Sequence, residues 1–302
     1  MSSAVAPAAA GTARVAFRRP SSSRARVVGG RVALYVLVVL FSLFCALPFY
    51  IALIMSFKQN TDLYRVGNNP FAFTQGPTFS HWTYLFTQTA FDTFALNTLL
   101  VGACVVAITL ALSLPAAYSL ARLRLRFSGV LGIAIFFVYL IPPSLLFISM
   151  TQVVATLGLQ DSLWSMVIVY PTITIPVSVW MLMGFFRSVP KDIEEQAMVD
   201  GYSRLAAFRR VLLPLAYPGI VAVIVFAFTL SASEFIYALA FVTSTAQKTI
   251  SIGVPTELVR GDVFYWQSLE AAAVVTAVPI ALLFNVFLNK FITGFTMGAV
   301  KG

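Results

Sequence analysis

Of 302 residues, 59% are hydrophobic and only 10% charged, with 20 Lys and Arg against 11 Asp and Glu for a net charge of +9. Soluble domains carry about 25% charged residues, so neither a water-facing surface nor one buried core accommodates this composition; it reads as an all-α protein crossing a bilayer several times. One histidine, His81, and two cysteines, Cys45 and Cys104, exclude a structural zinc site, and no other metal site is expected.

Residues 1–31 are rich in Ala, Ser and Arg and lack the apolar content to fold, so a disordered basic tail is expected there. No small-residue cleavage site follows the apolar run 32–57, which reads as a retained first span. A crossing needs about 20 mostly apolar residues. By that measure further spans fall within 93–121, within 127–150, at 162–186, at about 217–241 and at about 270–289. Residues 32–294 thus form a six-span domain, and 295–302 a short C-terminal tail. Both cysteines sit in apolar runs and are expected as buried free thiols.

The loop after the first span, about 35 residues, carries Tyr64, Phe71, Phe73, Trp82 and Tyr84 and is long enough for a small external cap. His81 within it reads as an exposed loop residue. Prolines at 48, 115, 142, 143, 171, 176 and 279 suggest helices that bend around a pathway. Polar groups inside the spans are candidates to line it. Tyr139, Thr172 and Thr174 are the weaker ones; Glu234 in the fifth span, with Ser231, Ser233 and Tyr237, is the stronger set. An acid in a span is costly unless it faces water or a partner, and Glu234 fits either a cavity or a structural hydrogen bond.

Lys and Arg set the orientation. The N-terminal tail, the 2–3 loop, the 4–5 loop and the C-terminal end hold sixteen; the opposite side holds Lys58, Arg65, Lys248 and Arg260. The richer side is cytoplasmic, which puts both termini inside, and the +9 is a topology signal rather than a nucleic-acid patch.

The cytoplasmic 4–5 loop, 187–216, is not a plain linker. Pro190 suits a helix's first turn, and Asp192, Glu194 and Glu195 favour the positive end of its dipole. Gly201 ends that helix, Ser203 caps a second from Arg204, and Pro214 and Pro218 punctuate the approach to the next span. Ile193, Ala197 and Met198 form a narrow apolar face flanked by acids. Such a helix either lies on lipid or docks a protein partner, and its acidity suits the partner better.

Glu195, Gln196 and Ala197, three residues, Gly201, nine residues, then Val211, Leu212, Leu213 and Pro214 resemble the E-A-A-x3-G-x9-I-x-L-P signature of membrane subunits of binding-protein-dependent ABC importers. Gln196 and Val211 depart mildly from it. The likeness runs through Asn97–Leu99, Ala116–Arg122, Leu157–Leu159, Phe185–Pro190, Ser233–Ile236 and Gly298–Gly302, in the manner of the carbohydrate type and its maltose-permease second-subunit branch.

The resemblance implies a type I importer permease fold whose cytoplasmic coupling helix, between spans four and five, docks on an ATPase subunit. It implies coupling through Glu194, Glu195, Ala197, Asp200, Gly201, Leu213 and Pro214, and a C-terminal ATPase contact at Val300 and Lys301. The implied partners are a homologous second permease, two ATPase subunits, an extracytoplasmic solute-binding protein and the bilayer of a bacterial or archaeal plasma membrane. The solute would be a sugar or related polyol-like compound, moving inward.

The chain is not expected to be an enzyme. Its five lysines follow Phe57, Pro190, Gln247, Asn289 and Val300, never the glycine of a phosphate-binding G-x4-G-K-[ST] loop. No cofactor is expected in this chain, ATP and Mg belonging to the partners. The alternative is a secondary carrier driven by an ion gradient, for which Glu234 would be the coupling acid.

Overall fold

The computed structural model describes the backbone of residues 24–67, 69–123 and 126–299, and side chains as far as residue 285 except 24–27 and 283. Of the expected tail, residues 300–302, with Val300 and Lys301, lie outside the described residues. The chain divides into two compact units, 1–50 and 51–302. What is described of the first is apolar helix, part of α1 (Arg24–Phe57), which starts eight residues before the expected span and ends where expected.

The second unit continues with α2 (Asn60–Leu63), α3 (Ser80–Gln88), α4 (Phe91–Arg122), α5 (Ser128–Tyr139), α6 (Pro143–Thr156), α7 (Leu163–Val169) and α8 (Pro171–Ser188). Then follow α9 (Lys191–Val199), α10 (Arg204–Ala207), a π-turn (Phe208–Leu212), α11 (Leu213–Leu215), α12 (Tyr217–Ser233), α13 (Ile236–Phe241) and α14 (Ile250–Leu258). A two-stranded antiparallel hairpin, β1 (Val259–Arg260) and β2 (Val263–Phe264), leads into α15 (Trp266–Ala299).

Among the described residues three helices are long and apolar enough to cross a membrane: Val28–Phe57, Phe91–Arg122 and Leu163–Ser188. Two bent pairs raise the number to five if each is one span: Ser128–Tyr139 with Pro143–Thr156, bent by 90°, and Arg204–Leu215 with Tyr217–Ser233, bent by 74°. The third expected span is therefore broken. Pro142 is held extended (φ −65°, ψ 136°) by the proline that follows it, and Pro143 opens α6, where its missing N–H costs nothing. By contrast Pro171 and Pro176 leave the fourth span continuous, with Tyr170 helical between α7 and α8.

Three buried clusters hold the unit together. Val101, Val105, Met166, Tyr170, Tyr237 and Ile252 centre one; Tyr118, Leu182, Phe186, Leu212 and Val223 a second; Leu85, Phe91, Phe94, Leu258 and Ala271 a third. Inside a bilayer such contacts act through close packing rather than through expulsion of water. Three glycines show how close. A Cβ on Gly102 would lie 2.6 Å from the Phe228 ring, and one on Gly219 or Gly253 would lie 2.5 Å from the Phe185 or Phe94 ring. Thr109 of α4 and Thr174 of α8 are joined by a buried 2.6 Å hydroxyl pair.

The loop after α1 is ordered about Lys58 and Asp62. Lys58, read from sequence as an outward loop cation, is wholly buried; its Nζ lies 3.9 Å from Asp62 Oδ2 and donates to the Asn69 carbonyl at 2.5 Å. Trp82 stacks on Phe57 at 5.2 Å. His81 is not in an exposed loop but in the first turn of α3, half-buried. The thiol expectation also needs correction: Cys45 is exposed and Cys104 half-buried, though both are free.

Candidate functional site

The 4–5 loop is built from local signals. Pro190 stands just before α9 rather than within its first turn, and Asp192 and Glu194 occupy that turn, where the helix dipole favours negative charge. At the other end Gly201 takes φ +94°, its N–H donates to Met198 O at 3.1 Å, and the Tyr202 N–H donates to Ala197 O at 3.1 Å. These two bonds make a Schellman cap, which needs the left-handed residue that glycine supplies at least cost. Ser203 Oγ then accepts from Ala206 N at 3.3 Å and starts α10. The expected second helix is divided: the π-turn separates α10 from α11, and Pro214 lies within α11.

Tertiary packing sets which face of α9 turns inward, and it is not the Ile193–Ala197–Met198 face. Glu194 and Ala197, three apart and so on one face, are buried at 7% and 6% exposure, while Ile193 is exposed and Met198 half-buried. The Tyr118 hydroxyl donates to Glu194 Oε1 at 2.5 Å, and Arg122 Nε lies 3.5 Å from Glu194 Oε2. Arg122 Nη2 also donates to the Val189 carbonyl at 2.8 Å, at the residue before Pro190. The Tyr118 ring packs on Phe208 at 4.5 Å and meets Phe186 edge-on at 6.3 Å. The end of α4 thus grips both the start of α9 and the π-turn behind it. An open cavity of about 380 Å³ adjoins the grip, lined by Lys191, Glu195, Met198 and Arg204 with Arg122 and Glu194.

Away from this grip α9 is exposed: Glu195, Gln196, Asp200 and Gly201 are exposed, and Val199 is 87% exposed. Of the seven expected coupling residues, Glu194 and Ala197 therefore turn inward, Glu195, Asp200 and Gly201 are exposed, and Leu213 (half-buried) and Pro214 (exposed) lie apart on α11. Tyr118 and Arg122 are the partners that the sequence did not reveal. They lie in a segment whose type was legible, but nothing local signals a bond spanning 76 residues.

The candidate pathway residues are not brought into one site. The fifth span does not run to 241; α12 stops at Ser233 because Glu234 is extended (ψ 126°). Its carboxylate accepts from Tyr237 N at 3.0 Å and Ala238 N at 3.1 Å, filling the orphan amides at the start of α13. The Glu234 carbonyl takes a bond from Ser251 Oγ at 2.7 Å. Tyr237 is buried and stacks on Phe241.

Ser233 and Thr172 bond back to carbonyls of their own turns, and Thr174 pairs with Thr109. Tyr139 is 37% exposed at the end of α5. Ser231 differs: it is buried, and its hydroxyl has no hydrogen-bond partner. Among the described residues no group of three His, Cys, Asp or Glu is placed to hold a metal ion.

Residues 110–297 match the family described as the binding-protein-dependent transport system inner membrane component. The chain is 32% identical, over 76% of its length and 80% of the relative's, to a sulfoquinovosyl glycerol transport system permease protein of Agrobacterium fabrum. It is 32% identical to a diacetylchitobiose uptake system permease protein of Streptomyces coelicolor, over 92% of this chain and 99% of that one. With a trehalose/maltose transport system permease protein of Thermococcus litoralis the identity is 26%, over 90% and 97%. In fold it is similar to a chain of a bacterial ABC transporter involved in the import of the acidic polysaccharide alginate, with a TM-score of 0.74 at 20% identity, covering 90% of this chain and all of that one.

Proposed function

The chain belongs to the family of binding-protein-dependent transport system inner membrane components, whose curated relatives include carbohydrate ABC transporter permeases, which are not themselves enzymes; from that premise we propose that it is the permease subunit of an ATP-driven importer of a sugar or related polyol-like solute. Six spans follow if each bent pair counts once and α15 is the sixth. Both termini are then cytoplasmic in a plasma membrane, and α9 lies on the cytoplasmic side as the coupling helix.

The observation that carries this reading is the division of α9 into two faces. Its inner face is fixed to α4 through Glu194, so a push on the helix reaches the second span rather than being absorbed by a loose loop. Its outer face leaves Glu195, Val199 and Asp200 open to a partner. An 87% exposed valine at the tip of a polar loop gains by docking. The partner is an ATPase subunit, one of two, which hold ATP and Mg; a homologous second permease completes the pathway, and an extracytoplasmic solute-binding protein delivers the solute. Leu213 and Pro214 sit where the loop returns to the membrane, and Val300 and Lys301 add a C-terminal contact to the ATPases. The ion-driven alternative loses its coupling acid, because Glu234 is engaged in capping α13.

Co-expression with the ATPase, second permease and solute-binding protein, reconstitution into vesicles and a solute-uptake assay test the proposal. Uptake that requires ATP and the binding protein is expected. Uptake that persists without nucleotide and collapses with the proton gradient overturns it.

A further inference from the structure

We propose that a cavity on the side of the protein opposite α9 is a binding site for a neutral saccharide. The cavity, of about 410 Å³, lies between α2 and α3 on one wall and β2 with the start of α15 on the other. Its volume falls within the roughly 300–1,000 Å³ of small-molecule sites. Three features define what it would hold.

The first is aromatic surface. Tyr64, Tyr84, Phe264 and Tyr265 line it, and three of these rings are held by stacking: Tyr84 on Tyr265 at 5.0 Å and Phe264 on Trp266 at 4.9 Å, both nearly parallel. Rings held by one another present a preorganised flat face, and the apolar C–H face of a pyranose is flat on the same scale.

The second is an unused donor. Gln267 lines the cavity and is 2% exposed, yet its Nε2 has no hydrogen-bond partner. A buried amide without a partner is a cost that a ligand hydroxyl removes. His81, also in the lining, bonds the Lys58 backbone, and burial holds its pKa below the usual histidine value, so at neutral pH the imidazole carries no charge and its second nitrogen can accept from a hydroxyl.

The third is the absence of charge. Among the described residues no Asp, Glu, Lys or Arg is in the lining, whereas a cavity of about 530 Å³ beside it has Lys248, Glu257 and Arg260. A charged ligand would find no counter-ion here, and a wholly apolar one would leave Gln267 unpaired. A ring with one apolar face and a rim of hydroxyls meets both demands. Ser268 Oγ, bonded to the His81 carbonyl at 3.4 Å, ties the two walls together without filling the space.

The inference rests on the importer reading for its choice of sugars, and the test separates the two. The full chain, assembled with its partner subunits in nanodiscs, is presented with maltose, trehalose and diacetylchitobiose, and binding is followed by saturation-transfer NMR from aromatic protons to sugar C–H groups. ATP-driven uptake of the same sugars is measured in parallel. At least one sugar is expected to bind, with Gln267→Leu weakening it three- to tenfold and Phe264→Ala abolishing the transfer. Phe264 is on a surface hairpin, so its variant folds even if the buried glutamine's does not. A sugar that binds but is not taken up leaves the site standing and counts against the sugar-importer reading. Uptake without binding, binding indifferent to both variants, or neither binding nor uptake overturns the site.

Discussion

The phenolic hydroxyl of Tyr118, in the last turns of α4, donates to the Glu194 carboxylate of α9 across 2.5 Å, and Arg122 one turn on closes the same carboxylate from its other oxygen at 3.5 Å. The long apolar helix α4 and the short polar helix α9 thereby share a buried, charge-assisted joint. If force enters at α9, this joint is where it reaches the membrane.

Breaking the joint from either side should uncouple transport without removing the protein from the membrane. Tyr118→Phe deletes a donor and leaves a buried carboxylate oxygen short of one bond, a cost of about 1–3 kcal/mol. Glu194→Ala is harsher, because Arg122 is then left buried without its counter-charge, at about 3–5 kcal/mol. The ratio of solute imported to ATP hydrolysed should fall in the first and collapse in the second. Unchanged ratios in both would remove the joint from the coupling path.

Gly201 tests the α9 cap. Nothing lies within 4 Å of a Cβ built there, so Gly201→Ala meets no neighbour and isolates the backbone cost of φ +94°. That cost is about 1–2 kcal/mol for an ordinary residue. ATPase copurification should drop, and Gly201→Asn, which tolerates the left-handed region, should recover most of it. Gly201→Asp and Glu195→Lys alter the outward face itself and are expected to uncouple uptake from hydrolysis.

Phe185 seated on Gly219 makes the α8–α12 contact testable by stability alone. Gly219→Ala forces the ring base aside, since the added carbon would lie 2.5 Å from Cγ and 3.0 Å from Cβ of Phe185. Overpacking of this kind costs about 1–3 kcal/mol. The thermal midpoint in detergent should fall, and in a Phe185→Ala background, which removes Cγ and the ring, the same glycine substitution should cost less. An equal loss in both backgrounds would mean that the ring is not what the glycine accommodates.

Glu234 separates capping from solute contact. Glu234→Gln keeps an oxygen for one α13 amide and should leave the solute KM near wild type, whereas Glu234→Ala loses the cap, typically about 0.5–2 kcal/mol. A large change in KM with Gln, at unchanged stability, would return Glu234 to the pathway.

Asp161 supplies a pH-dependent clasp. At φ 53° its carboxylate accepts from Thr243 N at 2.9 Å and Ser244 N at 2.8 Å, and these backbone bonds hold its pKa below the ordinary 3.8. A depressed carboxyl pKa stabilises the folded loop at pH above the unfolded value, and the benefit disappears as pH falls through the lower folded value. Hydrogen exchange at Thr243 and Ser244 should therefore be slow near neutrality and rise, relative to other loop amides, below about pH 4. Asp161→Asn keeps the left-handed backbone but should remove most of that pH response.

What was legible in the sequence was encoded within a few residues. Hydropathy marked the apolar helices, Pro190, Gly201 and Ser203 delimited α9 and its turn, and the signature spacing identified the loop. What was not legible depended on the phase of one helix against another. Ile193 and Ala197 read as one apolar face, yet α9 turns Glu194 inward because Tyr118 and Arg122 await it. Lys58 read as a loop cation, yet folding buries it beside Asp62.

By itself, then, the amino-acid order determined a helical membrane protein, the limits of α9, and which loop stands out, because chain polarity, a proline at a helix start and a glycine's φ act locally. Only the folded chain decided that Glu194 anchors rather than protrudes, that Glu234 caps a helix, and that Gln267 faces an uncharged aromatic hollow. Those outcomes depend on which side chains the packing of distant helices brings within about 3 Å of each other, the range at which a hydrogen bond forms.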